Sequence, residues 1–126
     1  MIVCVVDDLI FSIKISTAAR RLGVDLYFER SRDNVLQTVR DKQPSLVIFD
    51  LNSTKLAPMD AIGALKADAS LRHVRTLGYV SHVDTATIER ARAAGIDQVM
   101  ARSSFSDKLG DILQGQAPRS GPAQGA

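Results

Sequence analysis

Asp7 and Asp8 close the apolar run IVCVV, and Asp50 closes the run LVIF, so three carboxylates stand at the ends of two segments with the hydropathy of buried strands. Carboxylates brought together at one sheet edge repel each other unless a positive group joins them. A divalent cation with oxygen ligands is one such group, and a neighbouring arginine is another. The plainer alternative is that these acids cap strand ends and helix starts, or pair with Arg102. The chemistry of the chain turns on whether this corner holds a cation or has lost it.

A chain of 126 residues can build one domain with a real hydrophobic core but not two comfortable ones. Its one cysteine, Cys4, lies inside the first apolar run and reads as a core residue, so a disulfide framework and a cysteine metal site are both excluded. The N-terminal apolar stretch is broken by Asp7 and Asp8 after five residues, too short for a membrane span or a signal peptide, and a cytoplasmic location is expected. The formal net charge is only +2, and the basic pairs Arg20 with Arg21, Arg30 with Arg32, and Arg90 with Arg92 are dispersed. They read as solvated helix faces and loops. With no tryptophan and no concentrated basic patch, nucleic-acid binding is not expected.

The elements that must position the acids follow from the periodicity. Ile2 to Val6 forms a first strand, and Ile10, Ile13, Thr17 and Leu22 recur at helical spacing until Gly23 offers a C-cap. Val24, Leu26 and Phe28 alternate as a second strand. A helix capped by Ser31 or Asp33 then presents Val35, Leu36 and Val39 and stops before Pro44. Leu46 to Phe49 is the third strand, and Pro58 opens a helix bearing Ile62 and Leu65. Val74 to Val80 is a fourth strand interrupted by Gly78. Asp84 caps a helix with Ile88 and Ala91 that ends at Gly95, and Ile96 to Ala101 is the fifth strand. Ser106, or a residue as early as Ser103, starts a last helix carrying Leu109, Ile112 and Leu113. The domain therefore covers residues 1–113. The segment 114–126, rich in glycine, proline and alanine, cannot build a core and is expected to be a disordered tail.

Five strand–helix units predict an α/β fold, a doubly wound five-stranded parallel sheet in three α/β/α layers, with right-handed crossovers alternating the helices between faces. Ligands in such folds bind at the carboxyl edge, at the switch in strand order. The turn VDDLIFS after the first strand lacks the glycines that let a backbone approach a pyrophosphate, which disfavours a dinucleotide fold. A flavodoxin-like order, 2-1-3-4-5, places the first strand beside the third and brings Asp7, Asp8 and Asp50 together.

The segments VVDDLIFS, LVIFDLN and ARAAGIDQVMARS resemble those of a response-regulator receiver domain, over residues 1 to about 113. The resemblance implies that Asp7 and Asp8 are the metal-binding acidic pair and that Asp50 is the phosphoacceptor. It implies too that the backbone carbonyl of Asn52 completes the shell of a Mg2+ ion, with Asp50 itself in that shell. It further implies a phosphoryl donor, either a histidine kinase or phosphotransfer protein or a small phosphodonor. Magnesium takes hard oxygen ligands in octahedral geometry, which suits that set, while an Asp50 oxygen attacks phosphorus in line.

The departures fall on the parts that switch. Val80 stands where receivers carry a threonine or serine, with Ser81 beside it, and a one-residue register shift would restore the hydroxyl. Arg102 replaces the usual lysine and Ser103 the proline after it; arginine keeps the charge but presents a planar fork, able to pair with a ligand or to bridge Asp7 or Asp50 permanently. The loop LNSTKLAPMDA is about three residues longer than usual, with Ala61 in place of a glycine. It would lift a lid from Asp50 or bring Lys55 over it, although a loop lysine reads by default as surface charge. Val99 occupies the usual aromatic position, Tyr79 reads as a packing residue, and neither His73 nor His82 receives a catalytic role.

The expected function is that of an atypical receiver, at the limit a degenerate pseudo-receiver: a phosphorelay module in signal transduction, not an enzyme, acting through a protein partner. The alternative is a phosphorylation-independent interaction scaffold. A flavin or phosphatase domain is disfavoured, because the first loop carries negative charge where a phosphate cradle needs donors.

Overall fold

The computed structural model describes residues 1–81 and 84–115. His82 and the tail from Gln116 onward lie outside the described residues.

The first apolar run forms β1 (Ile2–Val5), which lies between β2 (Leu26–Phe28) and β3 (Leu46–Asp50) in a parallel sheet that also contains β4 (Arg75–Val80) and β5 (Gln98–Ala101). The strand order is β2-β1-β3-β4-β5, as expected for a flavodoxin-like sheet. The helices are α1 (Leu9–Leu22), α2 (Val35–Lys42), α3 (Pro58–Ala67), α4 (Thr85–Ala94), α5 (Arg102–Asp107) and α6 (Leu109–Leu113). Among the described residues no helix is long and apolar enough to cross a membrane.

Because successive strand residues face opposite sides, the continuous apolar strands feed two cores. Val3, Val5, Val47 and Phe49 join Val35, Val39, Ile62, Leu65 and Ala91 on one side. Ile2, Cys4, Ile48, Leu77 and Tyr79 join Phe11, Ile15, Phe105 and Ile112 on the other. The helices therefore do not alternate one by one: α1, α5 and α6 share a face, and α2, α3 and α4 share the other. The connection through α1 runs outward to β2, whereas those through α2, α3 and α4 all run the opposite way across the sheet, so a constant right-handed crossover puts them on the opposite face.

Several boundaries move from those the sequence suggests. Val24 precedes β2 and donates its N–H to the Ala19 carbonyl in the C-cap of α1, where Gly23 takes the left-handed conformation (φ 71°). A 3-10 turn, Arg32–Asn34, leads into α2, and neither Ser31 nor Asn34 makes a side-chain capping bond. The last helix is two short ones beginning at Arg102, so Ser106 caps nothing. Gly78 does not interrupt β4. A Cβ there would lie 2.7 Å from the Leu51 side chain, so glycine admits Leu51 against the strand.

Candidate functional site

At the carboxyl edge, β1 and β3 are adjacent and parallel, with Val5 paired to Phe49. Asp7 and Asp8 follow β1, and Asp50 is the last residue of β3, so the sheet order converts three distant sequence positions into one corner. Asp8 is also the N-cap of α1. Its Oδ1 accepts the Phe11 N–H at 3.0 Å, and its carbonyl accepts from the Ser12 N–H and hydroxyl. Asp50 Oδ1 accepts the Asn52 N–H at 3.0 Å.

Two cations enter from different elements. Arg102, the first residue of α5, puts Nη1 3.6 Å from Asp8 Oδ2, and its guanidinium lies over the Phe11 ring at 5.3 Å. Lys55, in the long loop after β3, puts Nζ 3.7 Å from Asp7 Oδ1. Both contacts are long and partly exposed, so they neutralise charge more than they stabilise the fold. The plainer expectation that the acids pair with Arg102 or cap a helix start thus holds at Asp8, whereas the bridge expected from Arg102 to Asp7 or Asp50 is not formed and Lys55 faces Asp7 instead of Asp50.

That leaves Asp50 as the acid of the three without a direct cation contact among the described residues. Burial raises its pKa above the ordinary carboxylate value of 3.8, opposed by the Asn52 N–H and the Arg102 charge and reinforced by Asp8 and Asp7.

The long loop is not lifted away. Leu51 and Leu56 are buried in the core, the Ser53 hydroxyl accepts the Leu56 N–H, and Ala57 adopts the left-handed conformation (φ 45°) that directs the chain into α3.

Val80 ends β4 with its side chain buried in the core. The hydroxyl at this edge belongs to Ser81, whose N–H and Oγ both donate to Asn52 Oδ1, at 2.7 and 3.0 Å. This side-chain role of Asn52 was not legible in the sequence. The only signal for it is two short polar residues just past the ends of strands that the fold makes neighbours. Beneath the corner Tyr79 stacks on Phe105 and tilts against Phe11, both with ring centroids at 4.9 Å.

No protein-family model matches the sequence, and no curated protein matches it. Solved structures do. A response regulator from Hahella chejuensis superposes with a TM-score of 0.79 at 18% identity, covering 90% of this chain and 91% of that one. The fold is that of response-regulator receiver domains. A second receiver structure, a chemotaxis response regulator of Vibrio cholerae, gives a TM-score of 0.77 at 13% identity over 92% of this chain and 97% of its own. The receiver domain of a sensor histidine kinase from Pseudomonas aeruginosa gives 0.78 at 18% identity, over 91% and 94%, and that protein holds a magnesium ion in its active-site cleft.

The receiver fold thus raises the question of a metal in this chain. Asp7, Asp8, Asp50 and the Asn52 carbonyl are hard oxygen donors of the right chemistry. Their side chains alone do not form a complete ligand set. Among the described residues no three histidine, cysteine or acidic side chains are grouped so that they could hold an ion. Asp8 is engaged by the Phe11 N–H and faces Arg102, and Asp7 faces Lys55. Lys55 and Arg102 supply positive charge at this corner.

Proposed function

We propose that this chain is a receiver-type signalling module that accepts a phosphoryl group on Asp50 and acts through a protein partner. The observation that carries this reading is the position of Asp50: at the carboxyl end of β3, beside Asp7 and Asp8, and without a cation of its own. In the reaction an Asp50 carboxylate oxygen attacks the phosphorus of a donor such as a phosphohistidine or an acyl phosphate. The bond from phosphorus to the donor atom breaks, and imidazole or acetate leaves. The Arg102 charge already acts on Asp50 and would offset the added negative charge. An apolar surface for a partner lies close by: Leu9, Ile10 and Ile13, in the first turns of α1, are 68%, 81% and 57% exposed.

The response of this module is limited. The Ser81 hydroxyl is held by Asn52 and Arg102 faces Asp8, so the groups that would turn toward a phosphoryl oxygen already have partners. The same contacts favour a second reading, a scaffold that binds its partner without phosphorylation.

Incubation with acetyl phosphate in magnesium-containing buffer, followed by intact-mass measurement, separates the two. The phosphoacceptor reading expects a gain of one phosphoryl group that Asp50→Asn abolishes. An unchanged mass in the parent chain, with partner binding intact in Asp50→Asn, would leave the scaffold as the function.

A further inference from the structure

We propose that the depression lined by Arg30, Ser31, Arg32 and Lys55, beside the acidic corner, is a binding site for a phosphate-type anion. It has a volume of about 380 Å³ and is built from two separate segments, the turn after β2 and the long loop after β3. Three cations converge there, the neighbouring Arg30 and Arg32 and, from a segment distant in sequence, Lys55. Among the described residues neither Arg30 nor Arg32 has a carboxylate within ion-pair distance, while Lys55 faces Asp7.

The turn is organised before any ligand arrives. Glu29 is buried, its Oε2 accepts the Ser31 N–H at 3.0 Å, and its Oε1 accepts the Thr38 hydroxyl. That carboxylate spends its charge on the backbone and on α2, and so fixes the turn. The Arg30 guanidinium lies over the Phe28 ring at 4.9 Å, which orients its fork. The Ser31 hydroxyl makes no capping bond, although Ser31 precedes the 3-10 turn, and it is a donor for a ligand oxygen. Two guanidinium forks, an ammonium and a hydroxyl match an anion with several oxygens and more than one charge, which is the chemistry of phosphate and pyrophosphate groups.

Lys55 joins this site to the acidic corner, because the same ammonium faces Asp7 at 3.7 Å. An anion in the depression competes with Asp7 for it. Occupancy would therefore draw Lys55 from the corner, and loss of the Asp7 charge would tighten anion binding.

The test is titration of the 126-residue chain with sodium phosphate, sodium pyrophosphate and ADP at constant ionic strength, followed by amide NMR. Saturable shifts confined to residues 30–32 and 54–56 are expected. The double variant Arg30→Ala, Arg32→Ala should weaken pyrophosphate binding by roughly tenfold or more, and Asp7→Asn should strengthen it. The control Arg20→Ala, Arg21→Ala makes the same change in net charge on α1 and should leave affinity within about twofold. ADP binding as tightly as pyrophosphate assigns recognition to the phosphates alone, and tighter ADP binding assigns a nucleotide. Equal weakening by both double variants, or shifts spread over every basic residue, would overturn the site. Asp50→Asn should bind pyrophosphate like the parent, so failure of the phosphoacceptor reading leaves this result standing.

Discussion

Tyr79 lies fully buried in β4, stacked on Phe105 and tilted against Phe11, and its hydroxyl has no hydrogen-bond partner among the described residues. Burial raises the pKa of the phenol, and the nearby negative charges of Asp50 and Asp8 raise it further, so the group stays neutral. A buried hydroxyl that exchanges water for no partner costs about 1–3 kcal/mol. Tyr79→Phe keeps the ring stack and removes the unsatisfied atom. It should raise the unfolding free energy by about 1 kcal/mol in urea denaturation; a loss of stability would mean that the hydroxyl is bonded. Cys4 lies in the same core. Burial pushes its thiol up to about 12, so it is an inert packing residue at neutral pH.

At the scale of elements, the amino edge of the sheet is tied by two acids far from the candidate site. Asp97 Oδ2 accepts from Lys66 Nζ at 2.9 Å and from the Thr76 N–H and hydroxyl, joining α3, β4 and the turn before β5. Burial alone would raise its pKa, but these bonds outweigh burial and lower it. Asp68, which follows α3, accepts from the Ser70 hydroxyl and N–H and from Arg40 Nη2 of α2, at 2.6, 2.8 and 2.8 Å. The Ser70 bonds first, and then Arg40, hold its carboxyl at about 2 instead of 3.8. A depressed carboxylate stabilises the fold fully above its unfolded pKa and loses that contribution as pH falls through its folded pKa. Asp68→Asn should therefore be less stable than the parent at neutral pH, and the difference should shrink as pH falls from about 4 through about 2. Urea midpoints measured across that range check it, and a gap as large at pH 2 as at neutral pH would contradict it.

Over the whole molecule, one sheet separates two cores, and every strand of it contributes to at least one. Ile62 on α3 and Ile112 on α6 are both fully buried, on opposite faces. Because the sheet is common to both, neither core can melt while the other keeps its strands. Ile62→Ala and Ile112→Ala should each cost about 2–5 kcal/mol. The double variant should be additive within about 0.5 kcal/mol, and all three should unfold in a single transition seen alike by circular dichroism and tyrosine fluorescence. Separate transitions for the two faces would refute the shared-sheet account.

The sequence by itself determined the strand–helix alternation, the parallel sheet and the meeting of Asp7, Asp8 and Asp50. Those properties rest on local periodicity and on the handedness of crossovers, both of which a linear pattern carries. It also pointed to Gly23 and Gly95 as helix ends, since only the left-handed conformation closes those caps without strain. Only the tertiary structure decided which cation faces which acid, that Asn52 holds Ser81, that Leu51 fills the space at Gly78, and that Lys55 joins Arg30 and Arg32 around one depression. Each of these is a side-chain contact between loops or strand ends distant in sequence. Such contacts depend on the direction of a few flexible side chains after the sheet has formed, and residue spacing along the chain carries no record of that direction.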